Sequence, residues 1–245
     1  MTLAELGGAL ARFGLNLALP LPVEEYDRIA PPPWQTANVA PGTEGVLVVG
    51  NGGGALWEHF RRSPEAEQRR DPLDSYTERA LRETAESLDP PGSVALYTDR
   101  RQDAYLPMVA LGRRAGCGSP GRVGVLIHPE YGPWIALRGL LYLRDPLPFE
   151  EPEPFDPCSG CPAPCAVACR GGVLGPDGVD VEGCFRTKIL DSTCRRRCDA
   201  RLACVVGPEH AYSSEQFLHH QRVRWRPTTL RHAVRVLGDT TLRRS

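Results

Sequence analysis

The sequence has almost no lysine or methionine: one Lys, Lys188, and two Met in 245 residues. It lacks an apolar run long enough to span a bilayer. It also has no basic leader ahead of a continuous hydrophobic segment, since Glu5 and Arg12 interrupt the apolar start. These absences argue against membrane insertion and secretion, and a cytoplasmic protein with reduced thiols is expected. Charge excess is missing as well. The 29 basic and 30 acidic residues leave a net charge of -1, so the whole chain exerts no attraction on nucleic acid or anionic lipid. Partners must therefore be read from local sites.

An apolar content of 41% with 24% charged residues fits a globular chain able to bury a proper core. "LAELGGALARFGL" spaces its apolar residues for a short amphipathic helix, and "GVLVVGN" reads as a buried strand bounded by glycine. In "DPLDSYTERALRETAESL" Asp71 stands at an N-cap position and Pro72 at the first helical position, so a helix is expected from there. "SVALYT" and "VGVLIHP" (123–129) are strand candidates, and the helical "YLPMVALGRRAGCG" lies between them. "PWIALRGLLYL" is an apolar run expected to pair back on 123–129 as a hairpin. Alternating strands and helices over 1–148 give an α/β (α+β) domain. A Pro- and acid-rich linker follows at 149–157, then a cysteine-rich segment at 158–207 and a basic extension at 208–245.

Every cysteine but Cys117 lies after the linker, in a stretch too poor in large apolar residues to build a core. Cys158, Cys161, Cys165 and Cys169 run C-x2-C-x3-C-x3-C, and Cys184, Cys194, Cys198 and Cys204 follow. The bacterial ferredoxin run is C-x2-C-x2-C-x3-C-P, in which the fourth thiolate reaches the other cluster. Here the middle spacing is one residue longer, and Arg170 replaces the proline. On the crossed ferredoxin pattern, Cys158, Cys161, Cys165 and Cys204 hold one [4Fe-4S] cluster, and Cys169, Cys184, Cys194 and Cys198 hold a second. Structural zinc and disulfides are the competing uses. Zinc favours two separated C-x2-C knuckles where one such pair occurs, and disulfides need an oxidising compartment. Cys117, between Gly116 and Gly118, reads as a small buried residue.

The stretch "AGCGSPGRVGVLIHPEYGPWIALRGLLYLRDPLPFEEPEPFDPCSGCPAPCAVAC" resembles the segment of epoxyqueuosine reductases and reductive dehalogenases that leads into their first cysteines. "VLVVGNGGGALWEHF" and "DPLDSYTERAL" resemble cobalamin-processing proteins of the cblC type. The similar stretches span roughly residues 45–207. The resemblance implies a nitroreductase-like α/β domain that binds cobalamin, followed by a small ferredoxin-like two-cluster domain that reduces it. It further implies an external electron donor and an acidic proton donor ahead of the "AG" motif. The acids there are Asp103, one position out of register in an ungapped match, and Asp99. In epoxyqueuosine reductases a helical-repeat domain grips tRNA after the clusters, and the residues after Cys204 are too few for one, so nucleic acid is the lesser expectation.

Three smaller signals remain. Gly50, Gly52 and Gly53 follow a strand and precede a helix, where backbone N–H groups can approach a phosphate or a corrin amide, or simply form a tight turn. His128, at a strand end, suits cobalt ligation or proton transfer, or a structural role, and Tyr131 and Trp134 suit the wall of a flat macrocycle, or core packing. The tail with His219, His220, Arg222, Arg224, Trp225 and Arg226 suits RNA phosphates and a stacked base, or a solvated face. Three functions follow as expectations: a cobalamin-binding iron-sulfur reductase, a ferredoxin-like carrier without cobalamin, or a zinc-stapled binding module.

Overall fold

A computed structural model describes residues 2–176 and 178–221, and the chain divides into two compact units. The first comprises residues 1–119 and 134–155, the second residues 120–133 together with the chain from 156 onward. The stretch 120–133, with His128 and Tyr131, thus groups with the cysteines.

The first unit is a mixed α/β fold. It opens with helix α1 (Leu3–Ala11), started by a capping box: the Glu5 N–H donates to Thr2 Oγ1 at 3.2 Å and the Thr2 N–H to Glu5 Oε2 at 2.7 Å. Strand β1 (Leu17–Leu21), helix α2 (Val23–Ile29), strand β2 (Gly45–Gly52) and helix α3 (Ala55–Phe60) follow. Helix α4 (Pro72–Glu86), strand β3 (Ser93–Leu96), helix α5 (Met108–Arg114) and strand β4 (Ile135–Leu143) complete it. The strands form one antiparallel sheet in the order β1-β2-β4-β3.

β2 and β4 sit at the centre because they are apolar on both faces, and every residue of β2 is buried. The strand period of two sends Leu47, Val49, Leu141 and Leu143 to one face, where they meet Leu6, Leu56, Phe60 and Leu81. Val46, Val48, Leu140 and Tyr142 go to the other, against Tyr26, Trp34 and Leu111. Each such leucine contributes about 1.5–3 kcal/mol by leaving water. The two buried tyrosine hydroxyls are matched: Tyr26 OH donates to the Trp34 carbonyl at 2.6 Å and lies 2.8 Å from Tyr142 OH.

The hairpin expected between 123–129 and 133–143 does not form. β4 pairs with β2 and β3 instead, and only Leu126–Ile127 of the earlier stretch is extended as a strand. Gly121 and Gly124 explain this: the Gly121 N–H donates to the Val125 carbonyl and Gly124 takes a positive φ of 82°, turning the chain before a strand can develop. Asp71 does precede α4, but in left-handed conformation, and its side chain makes no capping hydrogen bond; its carbonyl accepts from the Ser75 N–H instead.

One ion pair braces α4. Arg79 Nε lies 2.5 Å from Glu65 Oε1 and its Nη2 3.3 Å from Oε2, a two-pronged contact that holds the nearly buried Glu65 carboxyl down at about 2. A carboxyl lowered in the folded state adds stability above its unfolded value near 4.5, and that contribution disappears as pH falls toward 2. Urea melts of Glu65→Gln at pH 6 and pH 3 are expected to differ less than those of the unaltered protein.

The second unit builds short elements around its cysteines: helix α6 (Pro164–Ala168), a hairpin of strands β5 (Leu174–Gly175) and β6 (Gly178–Val179), and helices α7 (Val181–Leu190), α8 (Ser192–Arg196), α9 (Asp199–Leu202) and α10 (Ser214–Gln221). Among the described residues no helix is long and apolar enough to cross a membrane. Of the basic extension, Arg222, Arg224, Trp225 and Arg226 lie outside the described residues.

Candidate metal centre

Three of the cysteine-bearing stretches are fixed by an aspartate just ahead of them. Asp156 Oδ1 accepts from the Cys158 and Ser159 N–H groups at 3.2 and 3.1 Å. Asp180 caps α7, accepting from the Gly183 N–H at 2.9 Å, one residue before Cys184. Asp191 caps α8, accepting from the Thr193 and Cys194 N–H groups at 2.7 and 3.3 Å. Cys165 lies inside α6, started by Pro164 at its first position; Cys169 closes that helix, and Cys198 opens α9.

All nine cysteines are free thiols. The eight after the linker fall into two sets. Burial raises the Cys165 thiol, and Cys204, Cys158 and Cys161 are the thiols that add to the rise. These four share one pocket, walled by Val123, Ile127 and Val205. Burial also raises Cys184, where Cys198 and Cys169 add, and Cys194, where Cys198 and Cys184 add. Cys204 thus belongs with the first group and Cys169 with the second. Among the described residues no group of three His, Cys, Asp or Glu is arranged to hold a single metal ion.

The donor chemistry fits iron-sulfur clusters. A cube carries iron at separate corners, so its four thiolates need not converge on a point as those of a zinc ion must. The Arg122 N–H donates to Cys158 Sγ at 3.3 Å, a backbone hydrogen bond to sulfur of the kind that tunes cluster potentials. Cys158, Cys161, Cys165 and Cys204 would hold one cluster; Cys169, Cys184, Cys194 and Cys198 would hold the other. Cys117 lies in the first unit, fully buried, its thiol pushed up to about 12 by burial.

Arg170, which stands where the ferredoxin run has proline, has a specific use. Its Nε lies 2.8 Å from Asp199 Oδ2 and its Nη1 3.3 Å from Asp191 Oδ2, while Arg197 Nε meets Asp199 Oδ1 at 2.6 Å. The residue after Cys169 therefore ties down the cap of the helix bearing Cys194 and the first residue after Cys198. Arg170→Ala is expected to leave the first set intact and speed iron loss from the second. Chelator-challenge kinetics on the loaded protein check this, and a single unchanged release phase refutes it.

The remaining sequence candidates lie apart. Gly50 and Gly52 lie at the end of β2 and Gly53 directly follows it, all in the first unit. A Cβ on Gly50 would meet the Ala136 carbonyl oxygen at 2.8 Å; the Gly52 N–H donates to Asn16 Oδ1 and the Gly53 N–H to the Trp134 carbonyl, both at 2.8 Å. Asp99 Oδ2 accepts from the Leu96 N–H at 2.8 Å. Asp103 occupies the tip of a two-residue hairpin, where it and Gln102 take positive φ, and pairs with Arg100 at 2.6 Å on the surface. Trp134 is buried in the first unit.

His128 and Tyr131 come together in the second unit. His128 Nδ1 accepts from the Glu130 and Tyr131 N–H groups at 3.0 and 3.2 Å, and burial lowers its affinity for a proton. Its ring centroid lies 5.0 Å from that of Tyr131, which in turn lies 4.7 Å from His210. Sequence reasoning did not single out His210, Arg122 or the three aspartates. The aspartates carry a legible signal, since each precedes a cysteine by two to four residues.

An α/β unit joined to a unit with two four-thiol sets places the chain among proteins with the epoxyqueuosine-reductase-like fold. The epoxyqueuosine reductase of Bacillus subtilis matches with a TM-score of 0.55 at 15% identity, over 86% of this chain and 66% of that one. The Caenorhabditis elegans B12-trafficking protein CblC matches with a TM-score of 0.58 at 16% identity, over 94% of each chain. In sequence, the chain is homologous to the epoxyqueuosine reductase of Lactococcus garvieae, 34% identical over 100 residues, which cover 41% of this chain and 28% of that protein. The match thus spans less than a third of its curated relative. No family model matches the chain.

Proposed function

We propose that the protein is an iron-sulfur reductase that binds cobalamin or a similar corrinoid on its α/β unit and reduces it through two [4Fe-4S] clusters. The observation that carries this reading is the crossed grouping of eight thiols, with Cys204 among the first set and Cys169 among the second. Two single-ion zinc sites on consecutive cysteines would give no reason for crossing. Clusters, when bound, supply one-electron carriers of low potential. A corrinoid, when bound, supplies a cobalt that accepts such electrons. The fold shared with CblC and the sequence shared with an epoxyqueuosine reductase support the corrinoid.

The chain's own residues then orient and protonate. Asp103, Asp99 and His128 are the acid–base candidates. His128, with Nδ1 engaged as an acceptor, carries its proton on Nε2 and is the one held neutral by burial. Gly50, Gly52, Gly53 and Trp134 are the candidate corrinoid contacts on the α/β unit; Tyr131, the other aromatic expected from the sequence, groups with the cysteines. Oxygen-free purification followed by iron, sulfide and zinc analysis and titration with hydroxocobalamin tests the reading. About eight irons and eight sulfides per chain, for two cubes, with a cobalamin spectrum that changes on binding, are expected. Iron and sulfide without a cobalamin response would leave a ferredoxin-like carrier; zinc alone would leave a stapled binding module.

A further inference from the structure

The two thiol sets stand in different electrostatic surroundings. The first is walled by Val123, Ile127 and Val205. The second lies among cations: Arg186 and Lys188 on α7, Arg195 and Arg196 on α8. Arg170 and Arg197 are neutralised by Asp191 and Asp199, but no carboxylate pairs with Arg186, Lys188, Arg195 or Arg196 among the described residues. Lys188 acts on the thiols of both Cys184 and Cys194. Arg195 and Arg196, the two residues after Cys194, are exposed.

Two further features involve α7. A hollow beside α7 is lined by Gly172, Gly178 and Gly183 together with Asp180, Arg186 and Thr187, and a Cβ at Gly172 or Gly178 would touch nothing within 4 Å. Gly183 immediately precedes Cys184, and Gly171 follows Cys169 by two residues. At the ends of α7, Val181 and Leu190 are each 70% exposed. Exposed apolar groups beside Arg186, Lys188, Arg195 and Arg196, with Asp180 and Glu182 the acids at the start of α7, make the composition of a transient docking patch.

We propose that this face is where a small acidic one-electron carrier protein docks, so that electrons enter the protein at the Cys169, Cys184, Cys194 and Cys198 set. The proposal rests on the two-cluster reading above. One electron leaves the reduced carrier, which is oxidised by one unit, and the second set is reduced by one; no proton or bond changes hands. Charge complementarity favours an acidic partner and speeds its arrival, and the effect weakens with salt.

The test uses the full chain loaded with iron and sulfide, and an acidic plant-type [2Fe-2S] ferredoxin as probe. Its dissociation constant is measured by calorimetry and its electron transfer by stopped-flow absorbance. Arg195→Glu with Arg196→Glu is expected to weaken binding and slow electron transfer at least about tenfold at low salt, and Lys188→Glu, alone, to act in the same direction. Arg69→Glu with Arg70→Glu, the same charge change on an exposed segment of the first unit, is expected to have little effect. Reduction by benzyl viologen radical and the iron content should stay as in the unaltered protein. Equal affinity in all variants overturns the proposal, as does equal loss in the Arg69/Arg70 control. It is also overturned if an RNA stem-loop loses binding in the Arg195/Arg196 variant while ferredoxin binding persists. If the unaltered protein takes up no iron or sulfide, the two-cluster reading fails instead.

Discussion

Replacing Cys158 and Cys204 together by serine is expected to remove no more iron than replacing either one alone, whereas replacing Cys158 and Cys169 together removes nearly all of it. The two thiols of the first pair are far apart in sequence but act within one set, so losing the second costs nothing once the cluster is gone. Cys158 and Cys169 lie in one short run but serve different sets. In numbers, each single change and the Cys158/Cys204 double change should lower iron from about eight to about four per chain, and the Cys158/Cys169 double change to about zero. Cys117→Ser should leave the iron count unaltered, because that thiol is sealed in the other unit. If the Cys158/Cys169 double variant instead retained half of the iron, the crossed assignment would be wrong, and ligands would be grouped by their order along the chain.

What the sequence discloses depends on how local the governing physics is. β2 and β4 are plain in it, since a strand buried on both faces is mostly apolar, and the buried Arg138 and Asn51 hydrogen-bond to each other across the two strands. β1 is not: "LALPL" is partly buried and contains Pro20, which a sheet tolerates here because β1 is an edge. Ile127 looks like a strand residue for the right reason, burial, yet its strand is only two residues long, and with Val123 it walls a thiol pocket. The cysteine runs are legible because a cluster of the proposed kind would set its ligand spacing over a few residues. The role of Arg170 is hidden, since its partners Asp191 and Asp199 stand 21 and 29 residues away. Sequence alone shows only that the expected proline is missing.

Gly132→Ala is expected to destabilise the second unit by about 2–4 kcal/mol and to strip the first cluster while sparing the second. Gly132 has a φ of 56°, where a Cβ costs about 1–2 kcal/mol on its own. It also bridges to His128 through two hydrogen bonds of 2.9 Å, which fix the turn. A Cβ there would lie 1.9 Å from the Val206 carbonyl oxygen, and one on Gly207 would lie 2.5 Å from the Glu130 carbonyl oxygen. Two backbones therefore touch, and any side chain at the contact must part them. Val205 and Ile127, next to the two sides of this contact, wall the pocket of the first set, and Cys204 supplies one of its thiols. Parting the backbones draws Cys204 away from Cys158, Cys161 and Cys165, while Cys169, Cys184, Cys194 and Cys198 are held by the Arg170 ion pairs elsewhere. Gly160→Ala is the control. It has the same left-handed backbone, φ 67°, but open space where its Cβ would go, so it should lose about 1–2 kcal/mol and no iron. Thermal melts and iron analysis of the two variants decide the matter: equal losses would mean that backbone conformation, not the contact with Val206, sets the requirement for glycine at position 132.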